Sequence, residues 1–477
     1  MTAQEAFARL GAHTRLYYDP CSAAYSGDPR LLSRTGRPRS FWRRSGRQKL
    51  HMPLAAEIAA TSSDLLFGEE LILYLVDREE RPRDDLQTRL EEILQHNSFH
   101  ALLCEAAESC SALGDVYLKI LWDRENGSCP CLRVVQGDRA WPEYVLGNLT
   151  AIHFFTPLEE LPGAGGEKTV VRLHERYSPG RIVTRMFRGN AQSLGMELGQ
   201  EALEAMGLLP EVEVPGGELL AVHIPNLRPN RQMRGSCMGR SDLEGQRDLL
   251  DALDEAYSSW MRDIRLGKAR LLVPAEYLRR GPEELFDGTR QVPTFEFDED
   301  VETLCALDVD TGRSGEGITP TQFSIRAEDH LKTCRDLIGR IVGGAGYAPQ
   351  TFGLNIEGNA PSGTALRIRE RRSFATTAKK QGYWQAALER LLGALVHLDA
   401  RLYPGRGSEA ECRVHLRFAD LYASDVSQTA QTLRDLVQAR AVSTQVRVRM
   451  LHPDWTGEQV GQEEARIREE YGLGGKP

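Results

Sequence analysis

Residues 362–402 read as one helical run, and a helix that long sets the scale of whatever folds around it. At 1.5 Å per residue such a run extends roughly 60 Å, well beyond the diameter of a small domain. Its two halves differ in character. Arg367 through Lys380 make the first half basic, with Arg367, Arg369, Arg371 and Arg372 crowded at its start. Leu388, Leu391, Leu392, Leu395 and Leu398 give the second half an apolar face. Ser362 or Thr364 suits the N-cap, and Gly382 is a candidate kink. Yet the chain as a whole carries a net charge of -9. A basic helix in an acidic protein needs an explanation.

The totals narrow the classes. A chain of 477 residues is long enough for several cores, roughly two to four structural units. With 41% apolar and 27% charged residues it has the composition of a water-exposed globular protein. No run approaches the ~18–20 apolar residues of a membrane span, so no membrane is expected among its partners. The opening "MTAQEAFARLGAHTRLYYD" has neither the basic nor the apolar region of a signal peptide, and synthesis and assembly in a cytoplasm are expected. Net acidity argues against tight static grip on nucleic acid, which draws its affinity from neutralised phosphates. It is compatible with letting DNA slide past.

No catalytic constellation emerges, and neither metal nor cofactor is expected. The nine cysteines have no framework spacing; Cys129 and Cys131 form a lone pair where zinc would need two, so free thiols are expected. His96 and His100 are four apart on a helical pattern but lack the acidic companion of a metalloprotease helix. The glycines of "GGAGYAPQTFGLNIEGNAPSG" (343–363) end a helix instead of joining a strand to one, which excludes a dinucleotide loop. A loop of this length is functional or mobile.

Along the chain, residues 1–50 are arginine- and turn-rich, particularly at 30–50. They read as a solvated or interface-bound arm; for a nucleic-acid contact, Trp42 is the lone aromatic support. Helix follows from Pro53, then a short strand at 70–77 and helical spacing over 84–113, which is one helix or a pair broken near Asn97 and is stopped by Gly114. Residues 115–225 are β-rich. Ser241 and Glu244 have capping-box spacing before an apolar stripe of Leu249, Leu250, Leu253, Ala256, Tyr257, Trp260 and Ile264. Residues 269–322 switch back to strands, with turn-rich stretches such as "RRGPEELFDG" between them, and separate this helix from a second at 325–344. The C-terminal part reads as one strand, "CRVHLRFAD", and then helices.

This order of parts resembles the portal proteins of tailed bacteriophages, most closely the siphophage type with clip, stem, wing and crown. "PLAAEIAATSSDLLFGEE" is similar to the N-terminal wing helix and "ALGDVYLKILWD" to the strand after the wing helices. "GRSDLEGQRDLLDALDEAYSS" resembles the first stem helix, and "PSGTALRIRERRS" the start of the tunnel helix. "LRDLVQARAVSTQVRVRMLHPDWTGEQVGQEEARIREE" looks like the crown. The likeness covers roughly 50–477, and its specificity lies in the succession of matches.

The resemblance implies an α+β portal fold with long stem and tunnel helices, a β-rich wing, a small α/β clip and a helical crown. Its segments would be wing 1–240, stem helices 241–266 and 325–342, clip 267–324, tunnel loop 343–361, tunnel helix 362–402 and crown 403–477. It also implies a non-enzymatic homo-oligomeric ring, typically of about twelve subunits, at one capsid vertex of the virion. Double-stranded DNA would transit the channel during packaging and ejection. The terminase large subunit, a head-completion or adaptor protein, and the major capsid and scaffolding proteins would be the partners. DNA-channel candidates are Tyr347, Gln350, Phe352, Asn355, Arg367 and Arg371. Subunit-interface candidates are Arg369, Arg372, Trp260 and Tyr257.

On this reading the basic helix touches DNA or pairs with acids of the next subunit, and long charged helices usually spend their charges on neighbours. Two other classes stay open. One is a nucleic-acid-binding protein gripping through the basic arm and basic helix; the other is an intracellular α/β enzyme of unknown activity.

Overall fold

The computed structural model describes all residues except 29–30, 33–48, 78, 80, 124–126, 128, 163–167, 268–269, 273–283, 288–289, 294–318, 322–323, 355–362, 404–411, 419–425, 440, 453–456 and 471–477. The fold is α+β. Helix α1 (Ala3–His13) continues through one π-helical turn, Thr14–Tyr18, into α2 (Asp19–Ser26). Then come α3 (Leu54–Phe67), strand β1 (Ile72–Val76), α4 (Asp84–His96) and α5 (Phe99–Leu113). Ser98, in the left-handed region at φ 48°, separates α4 from α5. His96 and His100 therefore lie on different helices, and the one-face pairing that their spacing suggested does not form. Among the described residues no group of histidine, cysteine and carboxylate side chains could hold a metal ion, and every described cysteine is a free thiol.

The β-rich middle forms two sheets. β2 (Asp115–Leu121) pairs antiparallel with both β3 (Cys131–Gln136) and β10 (Ala221–Pro225). The larger sheet, of six strands, runs β4 (Ala140–Val145), β5 (Asn148–Pro162), β6 (Lys168–Ser178), β7 (Arg181–Gly189) and β8 (Met196–Glu197), with β9 (Glu211–Glu213) also on β7. Short helix α6 (Gln200–Glu204) lies between β8 and β9.

A helical pair leaves this body: α7 (Arg247–Leu266) goes out and α8 (Ala327–Ala345) returns against it. Ser241 does not cap α7, which starts six residues later. Its hydroxyl instead donates to the Ala112 carbonyl at the end of α5 and accepts from the Leu243 amide, so the capping-box expectation fails to a tertiary contact. Between the helices, β11 (Arg270–Leu272) pairs with β14 (Thr319–Thr321), and β12 (Glu284–Asp287) with β13 (Arg290–Pro293). Residues 284–287, read as part of a turn-rich stretch, are thus a strand. The strand expected at 302–310 lies outside the described residues.

Helix α9 (Gly363–Leu402) is one unbroken element that passes through Gly382. Beyond it, β15 (Arg413–Arg417) turns back to pair with β1, Tyr74 opposite His415. Helices α10 (Val426–Gln438), α11 (Thr444–Leu451) and α12 (Gly457–Glu470) follow, with Ser443 capping α11 through the Val446 amide.

The main core joins α3, α4, α5 and the β2 sheet to the second half of α9: Trp384, Leu388, Leu391, Leu392 and Leu395 are completely buried there. Arg89 on α4 clasps Asp399 on α9 with two hydrogen bonds of 2.9 and 2.8 Å. A second core lies at the root of the helical pair, where Leu54 and Ile58 meet Leu250, Leu253, Ile341 and Val342.

A third core corrects the picture of the N-terminus as an arm. Tyr17 and Tyr18 are fully buried with Leu10, Phe155, Phe187 and Met238, so residues 3–26 are a packed helical strap. The arginine-rich part at 33–48 lies outside the described residues. After it, Lys49 bonds Asp251, the Leu50 amide bonds Ser258, and His51 and the Met52 amide bond Asp254, which fastens the chain along α7.

Candidate functional site

Of the residues singled out by sequence, Tyr347 and Phe352 lie where the helical pair is rooted. Backbone contact sets this root. Gly114 ends α5 at φ 101°, and a Cβ on Gly239 would collide with the Gly114 carbonyl oxygen. Only glycine lets the two chains approach so closely. The turn 239–246 is then held by the strap, because Tyr17 accepts from the Ser241 amide (2.8 Å) and donates to Glu244 (3.2 Å). Nearby, Tyr18 donates to Asp115 (2.8 Å), a buried carboxylate that also accepts the Gly239 amide and faces His223 Nε2.

One side chain of this turn faces inward. Asp242 is completely buried, and its Oδ2 accepts from Ser111 (2.6 Å), Tyr347 (2.8 Å) and Lys380 (2.5 Å). Its Oδ1 accepts from Asn226 (2.9 Å). Lys380 Nζ, equally buried, also donates to Ser62 (2.6 Å) and Tyr347 (2.8 Å). Burial, with the Asp242 charge beside it, pushes the Tyr347 phenol well above the usual tyrosine range.

The loop after α8 is laid along α9 by a polar stripe. Ser373 Oγ accepts the Ala348 amide (2.8 Å) and bonds Thr351 Oγ1 (2.8 Å); Thr376 donates to the Gly346 carbonyl (2.6 Å). Gly346 has φ 105°, and a Cβ there would press on Thr376 Oγ1. Positions 373, 377, 380, 384, 388, 391, 395 and 398 are one continuous buried face of α9. Its first part is Ser, Thr and Lys; its remainder is Trp and Leu.

Tyr347 corrects an expectation. It was a channel candidate, yet it is 1% exposed and committed to Asp242 and Lys380. Phe352 is partly buried against the root core, edge-on to Tyr347 at 6.1 Å, and Gln350 is half-buried. Asn355 and the Arg367 side chain lie outside the described residues. Arg369, Arg371 and Arg372 are exposed and form no ion pair with a described residue.

The aromatic interface candidates are spent largely inside the subunit. Trp260 stacks on His330 of α8 (6.2 Å, 7°) and meets Tyr257 edge-on, both half-buried in the root core. Asp263 bonds both His330 (2.9 Å) and Arg326 (2.8 Å), and these two bonds hold its carboxyl below the usual range.

Lys380, Asp242, Ser373 and Thr376 were missed by sequence reading. A signal was present for those on α9: "SFATTAKK" places small polar residues on the face that turns apolar at Trp384.

The profile of the family described as phage portal protein, SPP1 Gp6-like, matches residues 42–471, nearly the whole chain. The chain belongs to this portal family. No curated protein matches it. Among solved structures, this portal chain is similar to one in the neck of an empty GTA particle, with 16% identity, 87% of this chain and 95% of that chain covered, and TM-score 0.45. It is also similar to one in the neck of a native GTA particle, with 14% identity, 84% and 89% coverage, and TM-score 0.42. A chain from the virion of a native gene transfer agent particle shares 14% identity over 90% and 98% of the two chains, with TM-score 0.41. The strap at 3–26 lies outside the part of this portal chain that the family profile matches.

Proposed function

We propose that copies of this chain close into a ring at one capsid vertex, that double-stranded DNA passes through the ring in packaging and ejection, and that the helical pair α7–α8 carries the segment on which the terminase docks. Head-completion, capsid and scaffolding proteins are the remaining partners on this reading. The wing, stem, clip, tunnel and crown boundaries expected from the sequence are part of the same proposal.

One observation within this portal protein carries it. Arg369, Arg371 and Arg372 stand exposed on a long helix of an acidic chain, without an ion pair to any described residue. Each heterologous interface of a ring joins two different faces of the same chain. The described protomer offers a complementary set: Glu57 and Asp64 on α3 and Glu105 on α5 are exposed and likewise form no ion pair with a described residue. Pairing of these arginines with a neighbour leaves the channel free of a tight grip on DNA, since each neutralised phosphate adds to affinity and to its salt dependence.

Charge reversal separates the two uses of the arginines. Arg371→Glu with Arg372→Glu abolishes ring assembly if they pair with a neighbour. If they face DNA, rings form but packaging fails. Rings that assemble and package normally would remove the basic segment from the account.

A further inference from the structure

The buried ion pair of Lys380 and Asp242 is fully hydrogen-bonded. An ammonium has three hydrogens to donate, and they go to Asp242, Ser62 and Tyr347. Asp242 spends both oxygens on Ser111, Asn226, Tyr347 and Lys380. Every bond is made inside the protein, where an unpaired polar group is costly and a saturated network tolerates one arrangement. A buried ion pair is weak evidence for stability alone, because apolar residues of the same shape often serve as well. Its position is the informative part. Asp242 precedes the outgoing helix α7, and Tyr347 follows the returning helix α8. One ammonium on α9 thus holds both ends of the helical pair, while Ser62 ties it to α3.

We propose that Lys380 is a positioning latch: it fixes the basic start of α9 against both ends of the α7–α8 pair, so that a displacement of the pair moves Arg369–Arg372 with it. Helix α9 is continuous from these arginines to Lys380, a distance of roughly 12–17 Å along the axis. Ser373 and Thr376 lie between them and hold the loop at 346–351. The loop, the root of the pair and the basic segment therefore share one attachment. The apolar stripe from Trp384 onward anchors the other half of α9 to the body, independently of the pair. The use of this coupling in DNA transit rests on the portal reading; the latch itself rests only on the contacts within one chain.

Hydrogen exchange of the full-length protein tests it, with Lys380→Met combined with Asp242→Asn so that no lone charge stays buried. Leu391→Ala serves as a variant destabilised in the main core. The latch predicts exchange at least tenfold faster over 346–352 and 369–380 in the double variant, with 384–402 unchanged; Leu391→Ala produces no such selectivity. Tyr347→Phe keeps the ion pair and removes the phenol's bonds, so it folds even if the double variant does not. It should loosen the same two segments about threefold or more. Uniform acceleration along the chain, or unchanged protection of these segments, would overturn the proposal. The measurement needs neither ring nor DNA, so its failure leaves the ring proposal untouched.

Discussion

Lys380 and Trp384 sit one turn apart on the same face of α9, both completely buried, and between them the helix changes from polar to apolar partners. Lys380 meets Asp242 and Tyr347; Trp384 meets Phe67 edge-on at 5.0 Å. The two ends should fail differently. Trp384→Ala should cost about 3–5 kcal/mol of folding free energy through the cavity it leaves. Lys380→Met alone should cost a similar ~3–5 kcal/mol, because Asp242 is left as an uncompensated buried charge. Adding Asp242→Asn should restore part of the second loss and none of the first. Denaturant unfolding of the four variants checks this.

Gly239→Ala should destabilise by roughly 2–3 kcal/mol, near the upper end of ordinary single substitutions. The added methyl has backbone in front of it, the Gly114 carbonyl, and no flexible side chain that can yield. Gly199→Ala controls for loss of glycine alone, since a Cβ there meets nothing within 4 Å and φ is -62°. A thermal shift for Gly239→Ala no larger than that of the control would contradict the close-approach argument.

The N-terminal strap should be required for a stable body. Tyr18→Phe leaves Asp115 short of a hydrogen bond in a fully buried site, and Tyr17→Phe does the same at Glu244 and Ser241. Each should cost about 1–3 kcal/mol. Removing 1–26 should do far more, exposing Phe155, Phe187 and Met238 and causing aggregation, which light scattering would report.

His397 gives the pH dependence. The neighbouring Cys412 first, and then its hydrogen bond to Glu218 (2.8 Å), push the imidazole up to about 10. A base raised above its unfolded value, near 6.5, stabilises the fold fully below that value. The contribution is lost as pH rises through about 10. Melting temperatures of the wild type and His397→Asn should therefore differ most at pH 6 and converge above pH 10. A gap that widens with pH would contradict the assignment.

Much of this was legible in the sequence where one element makes its own pattern. The stop at Gly114, the strands of 115–225 and the long helix all follow from local periodicity and punctuation, which left one helix or a broken pair open at Asn97. Tertiary contacts were not legible. Ser241 and Glu244 have the spacing of a cap, but α5 and Tyr17 claim them first. "YAPQTF" reads as a loop that offers Tyr347 to a channel, whereas the phenol closes a network spanning residues 62 to 380. The strap was misread because arginines at 30–50 coloured the whole segment, although "AFARLGAHTRLYY" carries its own apolar spacing. Asp242 and Lys380, 138 residues apart, leave no local trace of their partnership.

Ring formation tests the central claim most directly. Electron microscopy of the purified full-length protein, with native mass alongside, should show closed rings of about twelve subunits around an opening that admits a B-form duplex. A monomer or dimer that persists at high concentration and with the scaffolding protein present would contradict the proposed channel.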